Sequence, residues 1–195
     1  MKVIGITGGV GTGKSQVLSY LKKEYDAIIC QADHVAWDLQ KPGKTCYLKI
    51  VTSFGEEILN EDKTINRSKL GEIVFSNHEK LLLLNQIMHP TVKDTIGKLI
   101  EEAKTQDNAY FIIEAALLLE ANFDMICDEV WYIYSDISVR RERLKKSRNY
   151  SDEKVDSIMA TQLSEDMFQK RCQIIIDNSG SFADTCFQID QIMKC

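Results

Sequence analysis

The sequence predicts an α/β fold: a P-loop, doubly wound, five-stranded parallel sheet with helices on both faces, an inserted helical lobe and a small helical lid. Three observations carry this expectation. Five short apolar runs are nearly continuous rather than alternating, and rich in β-branched and aromatic residues, which suits strands covered on both faces. Helical patterns separate them, the alternation of a doubly wound sheet. Between the first strand and the first helix lies Gly8-x-x-x-x-Gly13-Lys14-Ser15, a phosphate-binding pattern in the context its mechanism requires.

KVIGIT (2–7) is the first strand and SQVLSYLKKEY the helix after the glycine loop. AIIC (27–30) is the second strand. From about 31 to 105 the rhythm breaks into ADHVAWDLQ, TCYLKIVTSFGEEIL, RSKLGEIVF and the long EKLLLLNQIMHPTVKDTIGKLIEEAKT, all helical, with turns at KPGK (41–44) and NEDKT (60–64). This stretch is expected to be a lobe inserted into a core made of residues 1–30 and 106–195. AYFIIE (109–114), EVWYIYS (129–135) and CQIIID (172–177) complete the sheet. SVRRERLKKS, in a lid at about 136–150, follows the fourth strand. SDEKVDSIMATQLSEDMFQK reads as a helix capped by Ser151, and FADTCFQIDQIMKC closes the chain.

Composition narrows the class. The 195 residues suffice for one cored domain with a small appended lobe, and 44% apolar with 27% charged residues is ordinary for a soluble protein. A net charge of −5 argues against nucleic-acid or membrane-surface binding. No apolar run approaches the roughly 20 residues of a membrane helix, and the first apolar run is too short for a secretory signal. The six cysteines (Cys30, Cys46, Cys127, Cys172, Cys186, Cys195) include no C-x-x-C pair, so reduced thiols in a cytoplasmic protein are expected. The expected state is a monomer or small homo-oligomer acting on small molecules.

The loop suits a triphosphate. Gly8, Gly9, Gly11 and Gly13 let backbone N–H groups turn inward, and the helix start adds its positive dipole end. Lys14 would reach the β- and γ-phosphates of ATP, and the Ser15 hydroxyl would ligate Mg²⁺. Thr7, Val10, Thr12 and Gln16 complete the nucleotide-binding stretch. A dinucleotide fingerprint fails, because reading from Gly9 puts Lys14 where the third glycine belongs. The base-reading N-K-x-D of GTPase switches is missing, and Asp177-Asn178-Ser179-Gly180 matches D-x-x-G only by coincidence, after the last strand. AYFIIE ends in a single acid, Glu114, which either supports Mg²⁺ through water or ends a strand.

Two further features bear on the use of the phosphates. Asp33 follows the second strand, where a carboxylate can take a proton from an acceptor hydroxyl. It can equally cap the next helix, and spacing alone favours the cap. Arg140, Arg141, Arg143, Lys145, Lys146 and Arg148 crowd one helix of an acidic protein, as a cation-rich lid over phosphates or as a solvated face.

Taken together, GITGGVGTGKS (5–15), ADHVA (32–36), KPGK (41–44), FGEEIL (54–59), INRSKLGEIVF (65–75), MHPTV (88–92), LLLE (117–120), RLKKSR (143–148), Gln162 and IIDNSG (175–180) resemble the dephospho-CoA kinase family nearly end to end. The resemblance implies ATP-dependent phosphorylation of the ribose 3′-hydroxyl of dephospho-CoA, yielding CoA and ADP. Asp33 matches the acid that activates that hydroxyl, against the cap reading, and Lys14 and Thr7 match the loop's lysine and leading threonine. Arg143 and Arg140 match lid arginines, Arg148 falls in the same nucleotide-side run, and Asn178 lies in a loop near the adenine. The insert would be the substrate lobe, binding the acceptor, with Arg67 and His89 as contacts. His89 has a plainer reading as the residue that shapes a helix break before Pro90. Gln16, Gln31 and Ala116 depart from the family's usual threonine, acid and proline, which touches substrate affinity more than reaction class. The alternatives are a P-loop kinase for another nucleoside or small-metabolite alcohol, and a non-catalytic, nucleotide-gated binding module.

Overall fold

A computed structural model describes residues 1–194. Cys195, the end of the expected closing helix, lies outside the described residues. The chain forms two compact units, residues 1–30 with 103–195, and residues 31–102.

In the first unit, β1 (Lys2–Thr7) leads through the glycine loop to α1 (Lys14–Tyr25) and β2 (Ile28–Gln31). After the second unit come β3 (Tyr110–Glu114) and β4 (Glu129–Tyr134), then the helices α6 (Ile137–Arg148), α7 (Asp152–Ala160) and α8 (Glu165–Arg171). β5 (Ile174–Asp177) and α9 (Phe182–Met193) close it. The sheet order is β2-β3-β1-β4-β5, and β1 pairs in parallel with β3 and β4, as β4 does with β5. Central β1 is buried from Val3 to Thr7, which is why its apolar run does not alternate. Ile4, Ile6, Ile112, Trp131, Ile133 and Ile176 pack with Val17 and Leu21 of α1 and Ile189 of α9. The loop thus leaves the carboxyl end of the central strand, where the chain's crossovers diverge.

One expected helix divides. The run 151–170 is not one helix: α7 stops at Ala160, and Ser164 starts α8 by accepting a hydrogen bond from the Met167 amide. Ser164 followed by Glu165 and Asp166 is a second N-terminal signature inside the periodic stretch. This break holds Gln162.

The second unit contains α2 (Ala32–Leu39), α3 (Thr45–Phe54), α4 (Arg67–Phe75) and α5 (His78–Ala103), whose last residue belongs to the first unit. α3 ends at Gly55, whose φ of 86° breaks the expected longer helix, and a 3₁₀ turn follows over Glu56–Ile58. A tight turn joins Leu59 and Ile65 in an isolated antiparallel bridge. α5 contains Pro90 without ending there, so the expected break at His89 does not form. Proline inside a helix costs about 3 kcal/mol. Met88, Val92, Ile96 and Ile100 form a buried stripe on both sides of it. Burying each such side chain is worth about 1.5–3 kcal/mol, so packing outweighs the local penalty.

Candidate active site

Gly13 caps α1 with φ 88°, and a Cβ there would collide with the Asn178 amide, so glycine is required on both counts. No acid stands in the first turn of α1, leaving its positive dipole end unneutralised beside exposed Ser15 and Gln16. The Lys14 ammonium donates to the Gly8 carbonyl at 2.8 Å and approaches that of Gly9 at 3.4 Å, lying back across the loop. Thr12 donates from its hydroxyl to the Gly9 carbonyl at 2.9 Å, holding the turn between them. Thr7 is fully buried, and its hydroxyl has no hydrogen-bond partner among the described residues.

The outer wall of the loop is braced at one atom. The Thr12 carbonyl accepts from Asn178 Nδ2 at 2.7 Å, the Ser135 hydroxyl at 3.2 Å and Arg143 Nη1 at 3.4 Å. Asn178 is 1% exposed, and its Oδ1 accepts from the Thr185 hydroxyl at 2.8 Å. Both ends of its amide are therefore engaged within the protein and brace the loop. Arg143 Nη2 donates to the Asn178 carbonyl at 2.8 Å and Nη1 to the Ser135 hydroxyl at 3.1 Å, so this guanidinium also works on the wall.

The cation run of α6 divides by helix face. Arg141 pairs with Asp152 and Asp156, Lys145 with Asp152 at 2.8 Å, and Lys146 with Glu142 at 2.5 Å. Arg148 lies over the Tyr150 ring, 5.9 Å from its centroid. Arg140 turns to the loop: its Nε donates to the Val10 carbonyl at 2.9 Å and its Nη2 to Gln162 Oε1 at 2.8 Å. No carboxylate forms an ion pair with it among the described residues, and burial lowers its pKa. Of the six cations, Arg140 and Arg143 reach the loop region.

In the second unit, Gln31 is the N-cap residue of α2, its side chain making no capping bond to the helix, and Asp33 is the second helical residue. The cap reading of Asp33 therefore fails. Its carboxylate is exposed and makes no hydrogen bond or ion pair among the described residues. One turn on, Trp37 is 44% exposed, with the His34 ring centroid at 5.1 Å and the Arg67 guanidinium carbon 4.5 Å from its own centroid. These three residues line a pocket of about 490 Å³ with Asp38, Gln40 and Lys41. His89 lies half-buried on α5 and is not part of that lining, so Arg67 and His89 are not brought together there. Desolvation depresses the His89 pKa. Cys30 is buried, and burial pushes its thiol up to about 11, so it is inert.

Sequence reasoning missed Trp37 as a platform and Ser135 and Thr185 as loop supports, and it named Gln162 as part of the resemblance without giving it a role. Gln162 falls inside the expected continuous helix, and the Ser164 cap is the local signal of the break that holds it.

A glycine loop followed by a lysine and a helix N-terminus, set on the central strand of this parallel sheet, defines the molecule as a P-loop phosphate-binding protein. Comparison with known proteins narrows the class. The family model described as CoaE, dephospho-CoA kinase, matches residues 2–184. The chain is 37% identical over 194 residues to a dephospho-CoA kinase of Carboxydothermus hydrogenoformans, covering 100% of this chain and 94% of that protein. It is 38% identical over 192 residues to one of Bacillus licheniformis, with 98% and 94% covered. The solved dephospho-CoA kinase from Campylobacter jejuni shares the fold at a TM-score of 0.72 and 24% identity, over 99% of this chain and 98% of that one. The chain belongs to the dephospho-CoA kinase family.

Proposed function

We propose that this protein transfers the γ-phosphoryl group of ATP to the ribose 3′-hydroxyl of dephospho-CoA, giving CoA and ADP, in the cytoplasm. The observation that carries transfer over nucleotide-gated binding is Asp33, an exposed carboxylate without a partner or capping role, in the first turn after β2. A binding module needs no base; a kinase does.

Lys14, the loop amides and the α1 N-terminus hold the β- and γ-phosphates, and the Thr7 hydroxyl is available to a ligand or ordered water. The Ser15 hydroxyl fits Mg²⁺ as a single protein ligand. No group of three His, Cys, Asp or Glu among the described residues could hold a metal, and Mg²⁺ readily takes its other ligands from phosphate and water. When bound, the ion neutralises phosphate charge. Asp33 accepts the proton as the 3′-oxygen bonds to the γ-phosphorus and the bond to ADP breaks. Arg140 meets the charge on the equatorial oxygens. Trp37 and Arg67 offer a stacking face and a cation for the acceptor's base and diphosphate. The pocket they line falls within the usual size of small-molecule sites. His89, half-buried, is a weaker acceptor contact. No helix among the described residues is long and apolar enough to cross a membrane.

ADP release should be measured with dephospho-CoA, adenosine, shikimate, pantothenate and no acceptor. Release that depends on dephospho-CoA, with a 3′-phosphorylated product by mass spectrometry, is expected. Acceptor-independent release, or preference for another alcohol, would refute the reading.

A further inference from the structure

Gln162 stands in the break between α7 and α8, where Ser151 and Ser164 cap the two helices. Phe168 of α8 is buried and stacks on Tyr132 of β4, ring centroids 4.6 Å apart, anchoring the segment that follows the break. Gln162 Oε1 accepts from the Val10 amide at 3.3 Å and from Arg140 Nη2 at 2.8 Å. Arg140 Nε returns to the Val10 carbonyl at 2.9 Å, which closes a hydrogen-bonded ring around one loop residue. A Cβ on neighbouring Gly9 would lie 2.8 Å from Gln162 Oε1, so the ring sits tight against the loop backbone.

We infer that Gln162 is a positioning residue for phosphoryl transfer: its neutral amide oxygen fixes Arg140 against Val10 of the P-loop and leaves the guanidinium charge available to phosphate. The inference rests on the reading of this loop as the ATP site. The oxygen must be neutral for a physical reason. A carboxylate there would satisfy the same two donors with stronger, charge-assisted hydrogen bonds. It would also cancel the charge of Arg140 and set a negative group beside the incoming phosphates. Glu165 already acts on Arg140 through space, yet it forms no ion pair with it among the described residues.

Gln162→Glu therefore separates positioning from mere support. The wild type, Gln162→Glu and Gln162→Ala should be compared in thermal midpoint, in ATP affinity by calorimetric titration without acceptor, and in kcat with dephospho-CoA. Gln162→Glu is expected to melt at or above the wild-type temperature while weakening ATP binding by about tenfold or more and lowering kcat by a similar factor. Gln162→Ala should lower kcat by about tenfold in the wild type but by no more than about twofold in an Arg140→Met background, because it acts through that arginine. Wild-type ATP affinity in Gln162→Glu would reduce Gln162 to a structural bridge and overturn the inference. So would an undiminished effect of Gln162→Ala in the Arg140→Met background. If the wild type failed to phosphorylate dephospho-CoA, only the substrate reading would fall. The ATP titrations would still decide the role of Gln162.

Discussion

Replacing Asn178 with alanine tests whether this residue braces the loop or reads the base. Two hydrogen bonds disappear, to the Thr12 carbonyl at 2.7 Å and from the Thr185 hydroxyl at 2.8 Å. The Thr12 carbonyl keeps Ser135 and Arg143 as donors, and the Thr185 hydroxyl keeps a long contact of 3.4 Å to the Asp177 carbonyl. Neither group is left wholly orphaned, so the loss is near the net worth of two bonds, about 2 kcal/mol in all. For a chain of this size that lowers the melting midpoint by about 4–8 °C. The assay is a thermal melt of the nucleotide-free protein, with kcat/KM for ATP and GTP measured in parallel. A brace predicts the lower midpoint and an ATP-to-GTP preference unchanged within about twofold. An unchanged midpoint with lost preference for ATP would refute the reasoning and return Asn178 to the adenine.

Asp33→Asn should lower kcat by about 10²–10⁴-fold, the contribution of a general base, with ATP affinity by calorimetric titration nearly intact. Unchanged turnover would remove Asp33 from the chemistry. Lys14→Ala should damage both ATP binding and turnover, and normal kinetics would dismiss the loop as the phosphate site. Trp37→Ala should raise the KM for the acceptor by about tenfold, from the loss of stacking and cation–π contact, and leave the KM for ATP alone. Acid should destabilise the fold through His89, whose folded pKa desolvation holds below the ordinary 6.5. Between those two pKa values the unfolded chain binds more protons, so stability present above about pH 6.5 falls as the pH drops through the folded value. In denaturant titrations His89→Gln should flatten that part of the pH profile.

The legible parts of this molecule are those fixed by local physics. Five buried strands show as continuous apolar runs, and the loop shows because glycine, lysine and serine are needed at set spacings to wrap a phosphate. What stayed hidden depends on tertiary partners. Pro90 reads as a break, yet the buried stripe from Met88 to Ile100 carries the helix through it. Asp33 has the spacing of a cap, but the strand runs on to Gln31, which takes the capping position and leaves the carboxylate without a backbone partner. Asn178 carries no sign in its neighbours that a carbonyl 166 residues away will occupy its amide.

The cations of α6 show the same limit and explain a division of labour around the loop. Successive helical residues turn by about 100°, so a run of basic residues must spread over several faces. Arg141 and Lys145 meet the acids of α7, and those exposed pairs contribute little stability. They do neutralise charge that would otherwise compete for phosphate on the wrong side of the helix. Arg143 joins Asn178 and Ser135 in holding the Thr12 carbonyl, which stiffens the loop from outside. Arg140 likewise meets only neutral oxygens, those of Val10 and Gln162, and it lies on the inner stretch of the loop. A phosphate-binding loop needs both a rigid wall and an undischarged positive charge. Two arginines three residues apart on α6 reach the loop at different residues, Arg143 at Thr12 and Arg140 at Val10, while the carboxylates of this region go to Arg141, Lys145 and Lys146.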